Sequence, residues 1–563
     1  MILKKPYTLL SFSLLIFPLV TSVYSSTKNQ SPSPTIRLKI VGINDFHGQI
    51  STGRLEGKAE VGGATVLASY LKEAQSSMAE NTIITIMGDL VGASPPASAL
   101  LHDEPTILFI NSLGNNHCTS QERMNPECNI VATLGNHEFD KGQQALLDLI
   151  YGAGKPPINN WYPMAEYQGA AYPYISANIL NAETNKPMFP PYIIKQVHGI
   201  PIAFIGAIVK NTPEMSFPAH IKGLKFIDEA EAINSYLPEI KAQGVNIIIV
   251  LIHEGGEQKP YEGPTQQDTE VHGAIKEIIY RLNDEVDVVM AGHTHQFMNA
   301  FLPNHHGKQV LVTQANSYSS SYAEVSLDVD EKNHHLVKKE ARIITTFANQ
   351  WPGTTPDPQT QYLVDLAENK VAPIIQEPIG SAYYPLLRKQ NAAGESNLGN
   401  LVADAFKKAM NADLAVHNIH GLRADIPAGA ITKGAVYSAL PFANTVVLVS
   451  LTGQDIYDLL EQQWQGSYPN MLQISGITYT YDTKQPLGKR IQGIELFNGP
   501  LLREKVYTIA TTDFFANGSG VFSVMKKSKM LKQGDSDCQV LIDYIKQGAQ
   551  PIKIEIEDRI KST

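Results

Sequence analysis

The sequence predicts an α/β protein built from more than one domain. Three observations carry that expectation. Apolar runs rich in β-branched residues alternate with stretches of helical spacing. Asp, Asn and His residues gather directly after several of those runs, at the turns where an α/β sheet places its chemistry. A chain of 563 residues also exceeds what one core normally holds, which suggests two to four domains. Hydrophobic residues make up 43% and charged residues 18%, a balance that excludes bulk disorder. The formal charge of −10 argues against a nucleic-acid polymer as partner, because phosphate backbones are held through a surplus of Lys and Arg. A small anionic substrate stays compatible, since bound cations reverse the local field.

In chain order, Lys4 and Lys5, the apolar run Tyr7 to Val20 and the small and polar residues around Val23-Tyr24-Ser25 read as an export signal cleaved after Ser25. The apolar run is shorter than the roughly 20 residues of a spanning helix. No Cys follows it, and the charged end IEIEDRIKST is unlike the hydrophobic tail of a glycolipid anchor. The expectation is an exported protein, periplasmic or extracellular, with no stable membrane anchor. TKNQSPSPT then reads as a disordered leader. TIRLKIVGIND is a first strand, GGATVLASYLKEAQ a helix and NTIITIMGDL a buried strand, followed by Ser94 and Pro95 as turn residues. Further strands are expected in YPYISANIL, YIIKQVHGIPIAFIGAIV, VNIIIVLIH, VDVVMAGHTH and KQVLVTQANSYSSSYAEVSLDV. Asn178 is expected to serve structural hydrogen bonding. His305 and His306, in the turn PNHHGK, are expected to be solvated. Cys118 and Cys128 enclose TSQERMNPE and are expected to bridge in an oxidising compartment, leaving Cys538 without a partner.

The chain is organised around LGNHEFD, Leu134 to Asp140, which lies between the apolar NIVAT and the helical pattern KGQQALLDLIYG. Taken alone it is equally a turn in which Asp140 caps the following helix. It is not alone: VGINDFHG, IMGDL, LIHEGG and AGHTHQ each follow an apolar run and each expose oxygen or imidazole donors. Together they offer Asp45, His47, Asp89, Asn136, His253, His293 and His295, a mixed nitrogen and oxygen set suited to two divalent transition ions. With Asp89 shared, each ion receives four protein ligands. Zinc and manganese head the expected metals, and this donor mix admits others.

DFHG, GDL, GNHEFD, HEGG and GHTH resemble the blocks of the calcineurin-like metallophosphoesterases, and the whole chain resembles the secreted 5'-nucleotidase family. The resemblance implies a four-layer α-β-β-α metallophosphoesterase sandwich, a linker helix and a smaller carboxyl-terminal α/β substrate-recognition domain. It also implies that Asp45, His47, Asp89 and His295 hold one metal and Asp89, Asn136, His253 and His293 the other. His137 and Asp140 match the family's catalytic pair, the imidazole stabilising the phosphoryl transition state and the carboxylate orienting it. Relative to the family, the stretch from Gly114 to Asn129 reads as an insertion.

Composition shifts near Ala348, where NQWPGTTPDPQTQ precedes the helical QYLVDLAENKVAPII. The expected organisation is a signal over residues 1–25, the metallophosphoesterase domain over 36–345, a linker over 346–375 and a substrate-binding domain over 376–563. The last carries no run with metal-ligand spacing, so its expected task is recognition, through ESNLGNLVADAF, HNIHGLRADIPAG, LPFANTV and TTDFFANGSGVF. A nucleoside base needs a flat apolar slot, and aromatic faces supply it. Phe442 and Phe514 match the family's base-stacking pair, Arg423 a phosphate-contacting arginine and Asn418 a polar substrate contact. The chain departs from the family where Asn517-Gly518-Ser519-Gly520 replaces NGGDG, removing the Asp taken to bind ribose. It also departs where Gly394 occupies a frequent Arg position, leaving Arg388 as the substitute.

The expected reaction is metal-assisted hydrolysis of nucleoside 5'-monophosphates. UDP-sugars, 2',3'-cyclic nucleotides with 3'-nucleotides, and NAD or other dinucleotides stand as alternatives on the same core. A secreted binding protein without chemistry stands as the remote one, and the complete ligand set argues against it.

Overall fold

The computed structural model describes residues 34–563 apart from positions 77, 153, 268–269, 467, 497–498 and 519, so the expected export signal, most of the leader and Ser519 lie outside the described residues. Two sheets stack face to face in the first domain. One runs Leu336–Thr345, Ser321–Asp330, Thr35–Ile43, Thr82–Met87, Ile130–Thr133, with the last three parallel. The other runs Phe297–Pro303, Gln309–Ala315, Val288–Ala291, Ile247–His253, Ile200–Ile208, Tyr192–Val197, parallel through its four inner strands.

The side-chain period of two explains why both sheets are apolar on both faces. In Thr82–Met87, Ile83 and Met87 point into the layer between the sheets, where they meet Phe204, Leu251 and Met290. Ile84 and Ile86 point outward to Leu67, Leu71 and Phe109 of the covering helices Ala64–Ser76 and Glu104–Asn111. On the opposite side Ile248, Val250 and Ile252 meet Ile233, Leu237 and Ile279 of helices Glu229–Ala242 and Ile275–Arg281. The outcome is the expected α-β-β-α stack.

Several expectations are refined. YPYISANIL contributes only the short strand Ile179–Asn181, because Asn178 spends its amide on Ile208 O at 2.6 Å and Ile227 O at 3.0 Å and accepts from Ile208 N at 2.9 Å. Asn178 is thus the structural residue the sequence suggested. Cys118 and Cys128 are bonded and Cys538 is free and buried. His306 pairs with Asp284 at 3.1 Å on the exposed turn.

The helix after the composition shift spans Pro358–Ile375, started by Asp357, whose carboxylate accepts from Thr360 N at 2.9 Å. Leu363, Val364, Ala367 and Val371 bury one face of it in the core of the first domain. Beyond it, a five-stranded mixed sheet runs Gln473–Ser475, Leu414–His417, Val506–Thr512, Thr445–Thr452, Lys529–Ser536. ESNLGN starts the amphipathic helix Asn397–Met410: Ser396 accepts from Gly399 N at 3.0 Å. Glu395, fully buried, accepts from Asn400 Nδ2 at 2.7 Å, Glu557 N at 2.8 Å and Arg559 N at 2.9 Å. The acid of that motif therefore ties residues 557–559 to the start of this helix.

Candidate metal centre

The donor-bearing turns leave the carboxyl ends of strands Thr35–Ile43, Thr82–Met87, Ile130–Thr133, Ile247–His253 and Val288–Ala291, and the stacking of the two sheets brings these ends together. The backbone bends sharply to aim them: φ is +50° at Asp45, +48° at His47, +47° at Asp89, +77° at His293 and +59° at His295. Left-handed geometry at non-glycine residues costs of order 1–3 kcal/mol each and persists where surrounding structure enforces it. Gly135 is required by proximity, since a Cβ there would lie 2.2 Å from Asp89 Oδ1.

Two donor groups result, Asp45, His47, Asp89, His295 and Asp89, His253, His293, with the ligand atoms of each within 4.8 Å of one another. Asp89 Oδ2 lies 3.1 Å from His253 Nε2 and 3.7 Å from His47 Nε2, while Asp45 Oδ1 lies 3.3 Å from His295 Nε2. His47 Nε2 and His295 Nε2 approach to 3.0 Å. Carbonyls fix the tautomers: His47 Nδ1 donates to Gly92 O at 2.9 Å and His253 Nδ1 to Met87 O at 2.8 Å, which turns each Nε2 lone pair inward. Burial holds His47 well below the usual imidazole range and, with the His253 charge, pushes His293 down to about 4. His253 goes the other way: burial opposes its charge, yet Asp89 and Asp45 outweigh that and push it up to about 10. A cation and that proton compete for one lone pair.

Two atoms test whether the set fits metal. Asn136 Oδ1 is buried with no hydrogen-bond partner, and His253 Nε2, also buried, faces the Asp89 carboxylate at 3.1 Å without the alignment of a hydrogen bond. Orphaned buried polar atoms are rare and costly. Both belong to the donor set expected for one ion, so a divalent cation there satisfies them together.

His137 Nδ1 donates to Asp140, 2.9 Å to Oδ2 and 3.1 Å to Oδ1, and its backbone N–H to Asp89 Oδ1 at 2.9 Å. Asp140 also accepts from Ala93 N at 3.2 Å and does not start the next helix, which runs Gln143–Tyr151 after Gly142. Sequence reading missed Glu138. Its buried carboxylate accepts from Asp89 N at 2.9 Å, Leu90 N at 2.8 Å and Gly135 N, clamping two metal-binding turns together. An acid between His137 and the apolar Phe139 was the available signal. Glu138→Gln turns an amide NH2 toward backbone N–H donors and is expected to destabilise the fold by about 1–3 kcal/mol. Thermal unfolding checks this, and an unshifted midpoint would contradict the clamp.

The second domain closes over the site. Arg423 Nη2 donates to Tyr318 OH at 2.9 Å and reaches to 3.4 Å from His47 Nε2. Phe442 stacks on His137 with ring centroids 5.6 Å apart and an interplanar angle of 23°. Two bonds elsewhere join the domains, Tyr468 OH to Glu257 at 2.6 Å and Gly520 N to Glu214 O at 2.8 Å. Arg388 is exposed, its Nη1 donating to Leu422 O at 3.3 Å. Asn418 Oδ1 is occupied by Gly421 N at 2.8 Å. Phe514 is half-buried, beside the fully buried Phe515. At Gly394 the backbone has φ +96° and a Cβ would lie 2.5 Å from Met471 Cγ, so a larger side chain is strained there. Tyr318, absent from the sequence-based set, packs its ring 5.1 Å from His47 and 5.5 Å from His295.

Residues 38–297 match the calcineurin-like phosphoesterase family and residues 378–527 the 5'-nucleotidase C-terminal domain. The chain is 31% identical over 573 residues to the cell wall protein Lmo0130 of Listeria monocytogenes, covering 94% of this chain and 69% of that protein. The chain belongs to the 5'-nucleotidase family. This 5'-nucleotidase-family phosphoesterase is also 30% identical over 546 residues to endonuclease YhcR of Bacillus subtilis, across 95% of itself but only 42% of that protein's length. A 5'-nucleotidase of Diplobatis ommata is 26% identical over 460 residues, 74% of this chain and 73% of that one. The crystal structure of a 5'-nucleotidase precursor from Thermus thermophilus superposes with a TM-score of 0.74 at 27% identity, covering 94% of this chain and 99% of that one.

Proposed function

We propose that the chain is an exported hydrolase that releases phosphate from nucleoside 5'-monophosphates at a pair of divalent cations. The observation that carries the reading is the double donor group joined at Asp89, with Arg423 and Phe442 of the second domain set against it. In this reading Asp45, His47, Asp89 and His295 hold one ion and Asp89, Asn136, His253 and His293 the other, zinc or manganese by donor type. Ions at such a site supply Lewis acidity and neutralise charge on the phosphoryl oxygens. Burial opposes the charge on His137, yet Asp140 and Asp89 outweigh it and raise the pKa, so the ring acts as an imidazolium: Nδ1 donates to Asp140 and Nε2 donates to the phosphoryl group as charge grows there. Arg423 contributes a planar fork for phosphate oxygens. In this reading Phe442 and Phe514 take the base, and Asn418 and Arg388 supply polar contacts.

A second reading, a sister activity on UDP-sugars, cyclic or 3'-nucleotides or dinucleotides, is favoured by one feature, the absence of an acid in Asn517-Gly518-Ser519-Gly520. Export is supported by the amino-terminal pattern and by relatives whose names place them in a cell wall or in snake venom. Among the described residues no helix is long and apolar enough to cross a membrane. A panel of AMP, 3'-AMP, 2',3'-cyclic AMP, UDP-glucose and NAD, run with zinc, manganese and other divalent ions, is expected to give the highest kcat/KM on AMP. A higher value on UDP-glucose or NAD would replace the first reading with the second.

A further inference from the structure

Beside the metal centre two guanidiniums lie without a carboxylate partner. Arg54, on the short hairpin of Arg54–Glu56 and Ala59–Val61 in the first domain, lays its guanidinium over the Tyr318 ring, Cζ 4.2 Å from the centroid. The hydroxyl of that tyrosine accepts from Arg423, and its ring packs on His47 and His295. Burial first, and then the charges of Arg388 and Arg423, press the Arg54 guanidinium below the ordinary arginine value; the acid acting on it, Glu56, is exposed. Among the described residues the arginines that form ion pairs are Arg37, Arg281 and Arg559, so the guanidiniums of Arg54 and Arg423 are not paired with a carboxylate. Asp425 accepts the backbone N–H of Arg388, not its guanidinium. The Nε atoms of Arg54 and Arg423 are both buried without a partner.

Unpaired like charges and buried donors without acceptors are each unfavourable, and a single oxygen-rich anion relieves both. Guanidinium forks match phosphate oxygens in number and direction. We propose that Arg54 is a substrate-binding residue that, with Arg423, holds the anionic phosphoryl group of the substrate beside the metal centre. The identity of that anion rests on the phosphoester reading above. Arg54 comes from the first domain and Arg423 from the second, so the anion is shared across the domain boundary.

The test uses the metal-loaded full chain, with inorganic phosphate as probe in calorimetry and p-nitrophenyl phosphate and AMP as substrates. Arg54→Ala is expected to weaken phosphate binding about 10- to 100-fold, the loss of a charge-assisted contact, and to raise KM for both esters by a similar factor. The same variant is expected to keep kcat within about threefold, since an interaction common to ground and transition states is lost. Metal content and the unfolding midpoint without phosphate stay at the parent's values, and Arg54→Lys recovers part of the affinity. Unchanged phosphate affinity and KM in Arg54→Ala would overturn the proposal. So would a loss of metal or of thermal stability in both Arg54→Ala and Arg54→Gln that accounts for the whole effect. A parent protein that cleaves p-nitrophenyl phosphate but not AMP sinks the nucleotide reading alone, and the Arg54 comparison is then decided on phosphate and that ester.

Discussion

Asp89→Asn is expected to lower bound divalent metal from two ions per chain to one or none and to reduce kcat/KM by about 10³-fold or more. Asp89 is the one residue common to both donor groups, and it is buried. It lies against His253 and His47 on one oxygen and accepts the backbone N–H of His137 on the other, so its carboxylate links the two donor groups to the turn that carries the catalytic candidate. An amide keeps the shape but offers one acceptor and no charge. It also leaves an NH2 facing either His253 or the His137 N–H. Elemental analysis of the purified variant, with circular dichroism to show that it is folded, checks the outcome. Two ions per chain and parental turnover in Asp89→Asn would remove the shared-ligand reading.

His137→Ala is expected to lower kcat by about 10²- to 10³-fold, as when a preorganised transition-state donor is removed, with KM moving by no more than about threefold. The ring is not in either donor group, so metal content should hold at the parent's level. Asp140→Asn should cost less, about 10- to 100-fold, because the imidazole survives but loses the carboxylate that supports its charge and orientation. Steady-state kinetics on AMP with metal analysis alongside separates the cases. If His137→Ala turns over at the parental rate, the imidazole has no part in the chemistry.

Much of the centre was legible before any fold was known because its chemistry sits in turns directly after strands. Asp45, His47, Asp89, Asn136, His253, His293 and His295 each stand within a few residues of an apolar run, and donor atoms of that kind have few reasons to crowd there other than binding. The supporting residues were not legible. Glu138 and Tyr318 are ordinary residue types in ordinary turns, and they matter because of what they touch: four backbone N–H groups in one case, Arg423 in the other. Asn178 shows the intermediate case, where a lone amide within an apolar run signals hydrogen bonding without revealing its partners, Ile208 and Ile227.

By itself the sequence determined the α/β class and nominated the candidate donors, because periodicity, turn chemistry and ligand type are local properties. Only the tertiary structure decided how those donors divide into two groups around Asp89, that Phe442 lies on His137, and that Arg54 and Arg423 meet at one tyrosine. These relations span more than a hundred residues of chain. They depend on the twist and stacking of two sheets and on where a second domain rests, which no local pattern encodes.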